Sequence, residues 1–200
     1  YKFETSISSY QWSPDGKTLG FIATKPEVKE KAALPYSPVL YEQNLSVQRI
    51  YMVEPGQGEA RELTVDGHFS ALEWSPDGKK LICASAPTSL VDDSYMAVSL
   101  SMVDVATMKV LATIDHQGKM GDFQWSPDGT QIAFIAASDL NDPTAGSLFV
   151  APATGGKSTI LQKDWEGMFE QIIWQDPGQV HFIGSTGVES VYGIIKADAK

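Results

Sequence analysis

The sequence predicts an all-β chain built as a β-propeller of four-stranded antiparallel blades, and three observations carry that prediction. The first is a pentapeptide, Trp12-Ser13-Pro14-Asp15-Gly16. It recurs unchanged at Trp74-Ser75-Pro76-Asp77-Gly78 and Trp125-Ser126-Pro127-Asp128-Gly129, and in drifted form at Trp174-Gln175-Asp176-Pro177-Gly178. The second is spacing. The tryptophans stand 62, 51 and 49 residues apart, in the range that marks propellers and other repeat arrays. The third is the apolar character of the strands after each copy, such as Leu148-Phe149-Val150, which implies burial on both faces of a sheet. Sheets stacked face to face around an axis have that environment.

Within each unit the elements can be justified in order. Two β-like segments precede each tryptophan: residues 2–7 and 9–12, 60–65 and 70–74, 109–114 and 121–125, and 157–162 and 170–174. Their apolar positions alternate, as half-buried strands require. Ser-Pro-Asp-Gly is turn chemistry, in which proline presets φ, aspartate bonds the local backbone and glycine accepts positive φ. Gly16, Gly78 and Gly129 are therefore structural, and so is Gly178, in a hairpin one residue shorter and hence of a different turn type.

The chain returns as Leu19-Gly20-Phe21-Ile22, Leu81-Ile82-Cys83-Ala84, Ile132-Ala133-Phe134-Ile135 and Val180-His181-Phe182-Ile183. A further strand follows at 49–53, 99–103, 147–151 and 191–196. Repeat units of a single domain then fall at about 1–59, 60–108, 109–156 and 157–200. Trp12, Trp74, Trp125 and Trp174 become packing pegs between blades rather than ligand platforms. A buried tryptophan removes roughly 150–250 Å² from water. The four units read as part of a larger propeller, a ring of about six to eight blades; closure by pairing 2–7 with 191–196 would instead make a four-bladed ring, which is rare. The opening Tyr1 already begins a strand-like run, so the chain reads as a piece of a longer product.

Three stretches break the period: 25–47, with a short helix expected at 27–34, then 86–97 and 138–146. Insertions in repeat folds gather on one face and often form its binding surface.

Composition narrows the function. Among 200 residues, 25 are acidic and 15 basic, a net charge of −10 that repels phosphate backbones and argues against a nucleic-acid partner. No apolar run reaches the roughly 18 residues of a membrane span. The lone Cys83 excludes an internal disulfide.

Few constellations carry chemistry, and no catalytic residue, metal or cofactor is expected. Residues 151–158 end in Gly156-Lys157-Ser158 like a phosphate loop, yet the repeat register makes them a hairpin with no helix behind it. No Gly-x-Ser-x-Gly elbow occurs; Gly184-Ser185-Thr186-Gly187 has the wrong spacing. His68 and His116 sit before strands, while His181 aligns with Gly20, Ile82 and Ala133 as an interblade residue. Asp92 with Asp93, and Asp139 with Asn141 and Asp142, lack the spacing of a calcium loop.

The repeated pattern, Phe/Leu-x-Trp-Ser-Pro-Asp-Gly-x-x-Leu/Ile-x-Phe-Ile-Ala with a Leu-Phe-Val-type strand, resembles the WD40-like repeats of two groups. One is the N-terminal propeller of prolyl oligopeptidase-family serine peptidases, the dipeptidyl and acylaminoacyl peptidases. The other is the TolB-type periplasmic propeller. The wide blade spacing favours the peptidases. So does the run Tyr36-Ser37-Pro38-Val39-Leu40-Tyr41 with Arg49-Ile50-Tyr51-Met52-Val53 and Arg61-Glu62-Leu63-Thr64. Asp164-Trp165 with Glu166 and Glu170 is similar to the segment by which dipeptidyl peptidase IV holds a substrate's amino terminus, although the glutamates here are not consecutive. The resemblance implies a non-catalytic domain that filters peptides for a hydrolase domain of the same parent protein, with Trp165, Glu166 and Glu170 touching the peptide. It also leans towards a location outside the cytoplasm. The TolB alternative implies a protein-interaction scaffold.

Overall fold

Each Ser-Pro-Asp-Gly stretch closes a hairpin through one repeated set of bonds. In the computed structural model, which describes residues 2–26, 41–43, 45–116 and 118–198, the Ser13 hydroxyl donates to Asp15 at 2.7 Å and accepts from the Thr18 N–H at 2.9 Å. The same pair of bonds recurs at Ser75, with Asp77 and Lys80, and at Ser126, with Asp128 and Gln131. Hydrogen bonds from these serines, the largest cause, hold the carboxyls of Asp15, Asp77 and Asp128 below the usual range. Gly16, Gly78 and Gly129 take φ of 70°, 68° and 69°, a region costly for residues with a Cβ.

These hairpins organise four sheets. The first comprises β1 (Ile7–Trp12), β2 (Leu19–Thr24), β3 (Gln48–Val53) and β4 (Arg61–Glu62), in that spatial order. The second holds β5 (His68–Trp74), β6 (Lys80–Ala86), β7 (Ser99–Asp104) and β8 (Lys109–Asp115), with α1 (Val91–Met96) between β6 and β7. The third holds β9 (Met120–Trp125), β10 (Gln131–Ala137) and β11 (Gly146–Pro152), then β13 (Thr159–Leu161) at its edge. The two-residue β12 (Gly156–Lys157) crosses over and pairs in parallel with β8. The fourth sheet has three strands among the described residues: β14 (Met168–Asp176), β15 (Gln179–Thr186) and β16 (Glu189–Lys196).

The pairing corrects the expected strand grouping. That grouping has the segments at 60–65, 109–114 and 157–162 open the next unit. Instead β4, β8 and β13 close the sheet before it, pairing with β3, β7 and β11. A chain leaving the third strand can fold back through a short turn and satisfy its backbone at once; the next sheet lies across a gap. Residues 2–6 form no strand. Among the described residues β1 pairs with β2 alone and β16 with β15 alone, so the pairing of 2–7 with 191–196 that would close a four-bladed ring is not formed. The helix expected at 27–34 lies outside the described residues.

Alternation around the hairpins gives the molecule two ends. The Ser-Pro-Asp-Gly hairpins share one end with the links from third to fourth strands. The segments 87–98 and 138–145 share the other end with the links between sheets at 63–67 and 162–167. Between these ends the sheets stack in chain order. Apolar layers fill the three seams: Ile22, Ile50 and Met52 against Phe69 and Trp74; Ile82, Leu100 and Met102 against Phe123 and Trp125; Ala133, Ile135 and Leu148 against Phe169 and Trp174. Leu148, Phe149 and Val150 are buried on both faces, as their sequence implied.

Candidate functional site

The seams obey one rule. The Trp74 N–H donates to the Gln11 side-chain oxygen at 3.0 Å, and its indole N–H donates to the Gln11 carbonyl at 3.2 Å. Trp125 meets Glu73 in the same way, at 3.4 and 3.3 Å. The Trp174 N–H donates to the Gln124 side chain at 2.9 Å, but its buried indole N–H has no partner. Close approach is built in at Gly20, where a Cβ would stand 3.3 Å from the Trp74 ring. Trp74, Trp125 and Trp174 are buried in these seams. Trp12 is exposed, with no sheet among the described residues in front of it.

The irregular end of the molecule holds the candidate site. Four residues before each tryptophan the innermost strand bulges against its partner, around Ser8, Ser70, Gly121 and Glu170. Ser8 and Ser70 turn back to the Ile22 and Ala84 carbonyls, at 3.2 and 3.5 Å. Glu170 has no such hydroxyl, and its carboxylate is exposed. Bulges re-aim side chains and are common beside functional sites.

Glu170 borders a cavity of about 370 Å³ that Asp122, Ile173, His181, Ile183 and Tyr192 also line. The His181 Nδ1 lies 2.6 Å from the Tyr192 hydroxyl. Asp122 is tied down, accepting the Ile172 N–H at 3.1 Å. Tyr192 and Asp122 escaped the sequence reading. Asp122 had a visible signal, since a charged residue there replaces the Ser9 and Ala71 of earlier repeats. Tyr192 had none, because its neighbour across the sheet is known only from the β15–β16 register.

The other expected residues fall around this cavity or away from it. Trp165 is no open platform: its ring lies 4.3 Å from Phe169 and 5.3 Å from Phe182. Glu166 is exposed on the link ahead of β14, and its carbonyl accepts from Thr186. On the same end, buried Arg49 donates to Glu62 at 2.8 Å and to the Gly67 carbonyl at 3.2 Å, stiffening the link to the second sheet. Asp139 accepts from the Thr144 hydroxyl at 2.5 Å and the Asn141 N–H at 2.8 Å. Cys83 is buried and its thiol is pushed up to about 12 by desolvation, so it is inert. A larger groove of about 740 Å³ opens at the hairpin end, beside Lys157 and Lys196. There the Gly-Lys-Ser run is a link between β11 and β13, with no helix after it.

Residues 75–141 match the family model described as the dipeptidyl peptidase IV N-terminal region. That stretch contains two of the hairpins and the seam between the second and third sheets. It does not reach Trp165, Glu166 or Glu170. Among solved structures, a candidate dipeptidyl aminopeptidase IV from Bacteroides ovatus matches 94% of this chain at 16% identity, with a TM-score of 0.64. A prolyl endopeptidase matches 98% at 14% identity and 0.65, and TolB from Acinetobacter baumannii matches 99% at 15% identity and 0.59. The fold is a β-propeller. The chain spans 31%, 28% and 43% of those three structures, so the likeness describes a propeller domain or part of one. A comparison with curated protein sequences gives no match. No helix among the described residues is long and apolar enough to cross a membrane. In propeller terms the four sheets are blades, and the bulged end of the fourth blade is the candidate site.

Proposed function

We propose that this chain is a non-catalytic propeller domain that caps a serine peptidase (α/β-hydrolase) domain outside these residues and filters the peptides reaching it. The match of residues 75–141 to the dipeptidyl peptidase IV N-terminal region carries the reading. Glu170 supports it locally, as an exposed carboxylate at a bulge where the other three blades carry serine or glycine. On this reading Glu170, with Glu166 nearby in the chain, pairs with the ammonium of a peptide's amino terminus. Trp165 acts from behind, wedging the turn against Phe169 and Phe182. A carboxylate–ammonium pair that is only partly desolvated contributes modestly, so binding should be weak.

The pure chain should not hydrolyse a chromogenic dipeptide, and it should bind a short peptide with a free amino terminus. Glu170→Gln should weaken that binding severalfold, and acetylating the peptide should weaken it as much. Serine-inhibitor-sensitive hydrolysis by the chain, or equal affinity for the acetylated peptide, would overturn the reading. An interaction scaffold of the TolB type is the second reading, supported by the likeness across 99% of this chain. It predicts retention of an envelope protein and indifference to short peptides.

A further inference from the structure

The short helix α1 buries none of its own residues. Helices in proteins take most of their stability from packing a face, and one this short is marginal without that. Local bonds remain: the Thr88 hydroxyl donates to Asp93 at 2.5 Å, and the Ser94 hydroxyl donates to the Leu90 carbonyl at 3.0 Å. One turn apart, Val91 and Tyr95 share a face of the helix. They are 65% and 61% exposed, so that face is unspent.

The next segments along the stack continue it. Ala86 and Val98, at the feet of the segment that carries α1, lie in one apolar layer with Ala136, at the foot of 138–145. On this second segment Leu140 is 60% exposed. A Cβ on Gly146, where the segment rejoins its sheet, would stand 3.7 Å from the side chain of Met168, which turns towards the third blade and is itself exposed. Val91, Tyr95, Leu140 and Met168 thus follow an arc over the second and third blades, ending two residues before Glu170. Among the described residues, the links at the hairpin end expose no large apolar side chain.

The border of the arc is acidic. Asp92 is exposed beside Val91, Asp139 beside Leu140, and Glu166 ahead of Met168. The Thr144 hydroxyl, as the largest cause, and the Asn141 N–H hold the Asp139 carboxyl below its usual range, so it stays charged. Lys119, which reaches this segment, is already paired with Asp142 at 2.6 Å.

We infer that this arc seats the body of a bound peptide and selects peptides with apolar and cationic side chains beyond their amino terminus. The inference rests on the peptide reading of Glu170 and names the substrate class that this end admits. Apolar side chains of the peptide cover Val91, Tyr95 and Leu140, and its lysine or arginine side chains meet Asp92 and Asp139. Each exposed ion pair contributes little, but the sign of the border decides which partners are steered in and which are turned away. Stacked sheets lie about 10 Å apart and an extended chain advances about 3.3 Å per residue, so reaching α1 from Glu170 takes about six residues. A dipeptide engages Glu170 alone.

Calorimetry with three free-amino peptides tests this. One has about four residues; two have about ten, with a distal half that alternates leucine with lysine or leucine with glutamate. The lysine peptide should bind about tenfold tighter than the short one, a gain that covering Val91 and Tyr95 can supply. The glutamate peptide should bind no tighter than the short one. Val91→Ser combined with Tyr95→Ser, both at exposed positions, should remove the gain and leave the short peptide's affinity unchanged. Asp92→Asn should reduce it, whereas Glu54→Gln with Glu59→Gln, at the hairpin end, should not. Equal binding of the lysine and glutamate peptides overturns the inference, as does a gain that survives the Val91 and Tyr95 substitutions. Equal weakening by the charge changes at the two ends also overturns it, since net charge alone would then be the attraction. Indifference of every peptide to Glu170→Gln, with a lysine gain that still depends on Tyr95, overturns the amino-terminus reading and upholds the arc.

Discussion

At Glu73 the repeat carries a carboxyl group where Gln11 and Gln124 carry amides, and it is half-buried in the seam. Its side chain accepts the Trp125 N–H at 3.4 Å. Burial is the main cause that lifts its pKa from 4.5 to about 7, and Asp122 adds to the rise. A carboxyl raised in the folded state is a burden only when ionised. Below pH 4.5 folded and unfolded chains are both protonated and nothing is lost. Between 4.5 and 7 the loss grows, and above 7 it is constant. Glu73→Gln should therefore leave stability at pH 4 unchanged and raise it at pH 8 by about 1–3 kcal/mol. Urea unfolding at the two pH values measures this. Equal effects at both would mean that Glu73 is solvated in the seam.

At the scale of the blade, one residue type does different work depending on its neighbours. Trp125 fills a seam between two blades and donates to the Glu73 carbonyl, whereas Trp12 faces outward. Trp125→Ala should cost about 3–5 kcal/mol through the cavity it leaves. Trp12→Ala should cost less than about 1 kcal/mol in the monomer, as surface substitutions usually do. Denaturant unfolding at low protein concentration compares them, and equal losses would contradict the open front face. The hairpins were legible in the sequence through proline, aspartate and glycine. The serine was not. Its buried hydroxyl, which bridges aspartate to the returning strand at Ser13, Ser75 and Ser126, emerges only when the turn is closed.

For the molecule as a whole, protection should rise towards the middle of the stack. The second and third blades are covered on both faces and the outer blades on one. Amide exchange should be slowest in β6 and β10, near Cys83 and Phe134, and fastest in β1, near Tyr10. Uniform protection at high dilution would deny the exposed end faces. Glu170 was legible as a candidate only through resemblance; the bulge is common to all four blades, and what sets Glu170 apart from Ser8, Ser70 and Gly121 is its exposed carboxylate.

The sequence by itself determined what is local and periodic: the hairpins, the apolar strands between them, the positions of the pegs and the blade fold they imply. Turn geometry and strand alternation depend on near neighbours, so a repeated string is enough to specify them. Only the tertiary structure decided which sheet each outer strand joins, which indole finds an acceptor and which tryptophan has no blade in front of it. Those outcomes depend on which backbone is within hydrogen-bonding reach across a seam. Four copies of one motif are locally alike, yet among the described residues three of their tryptophans lie in seams and Trp12 lies exposed.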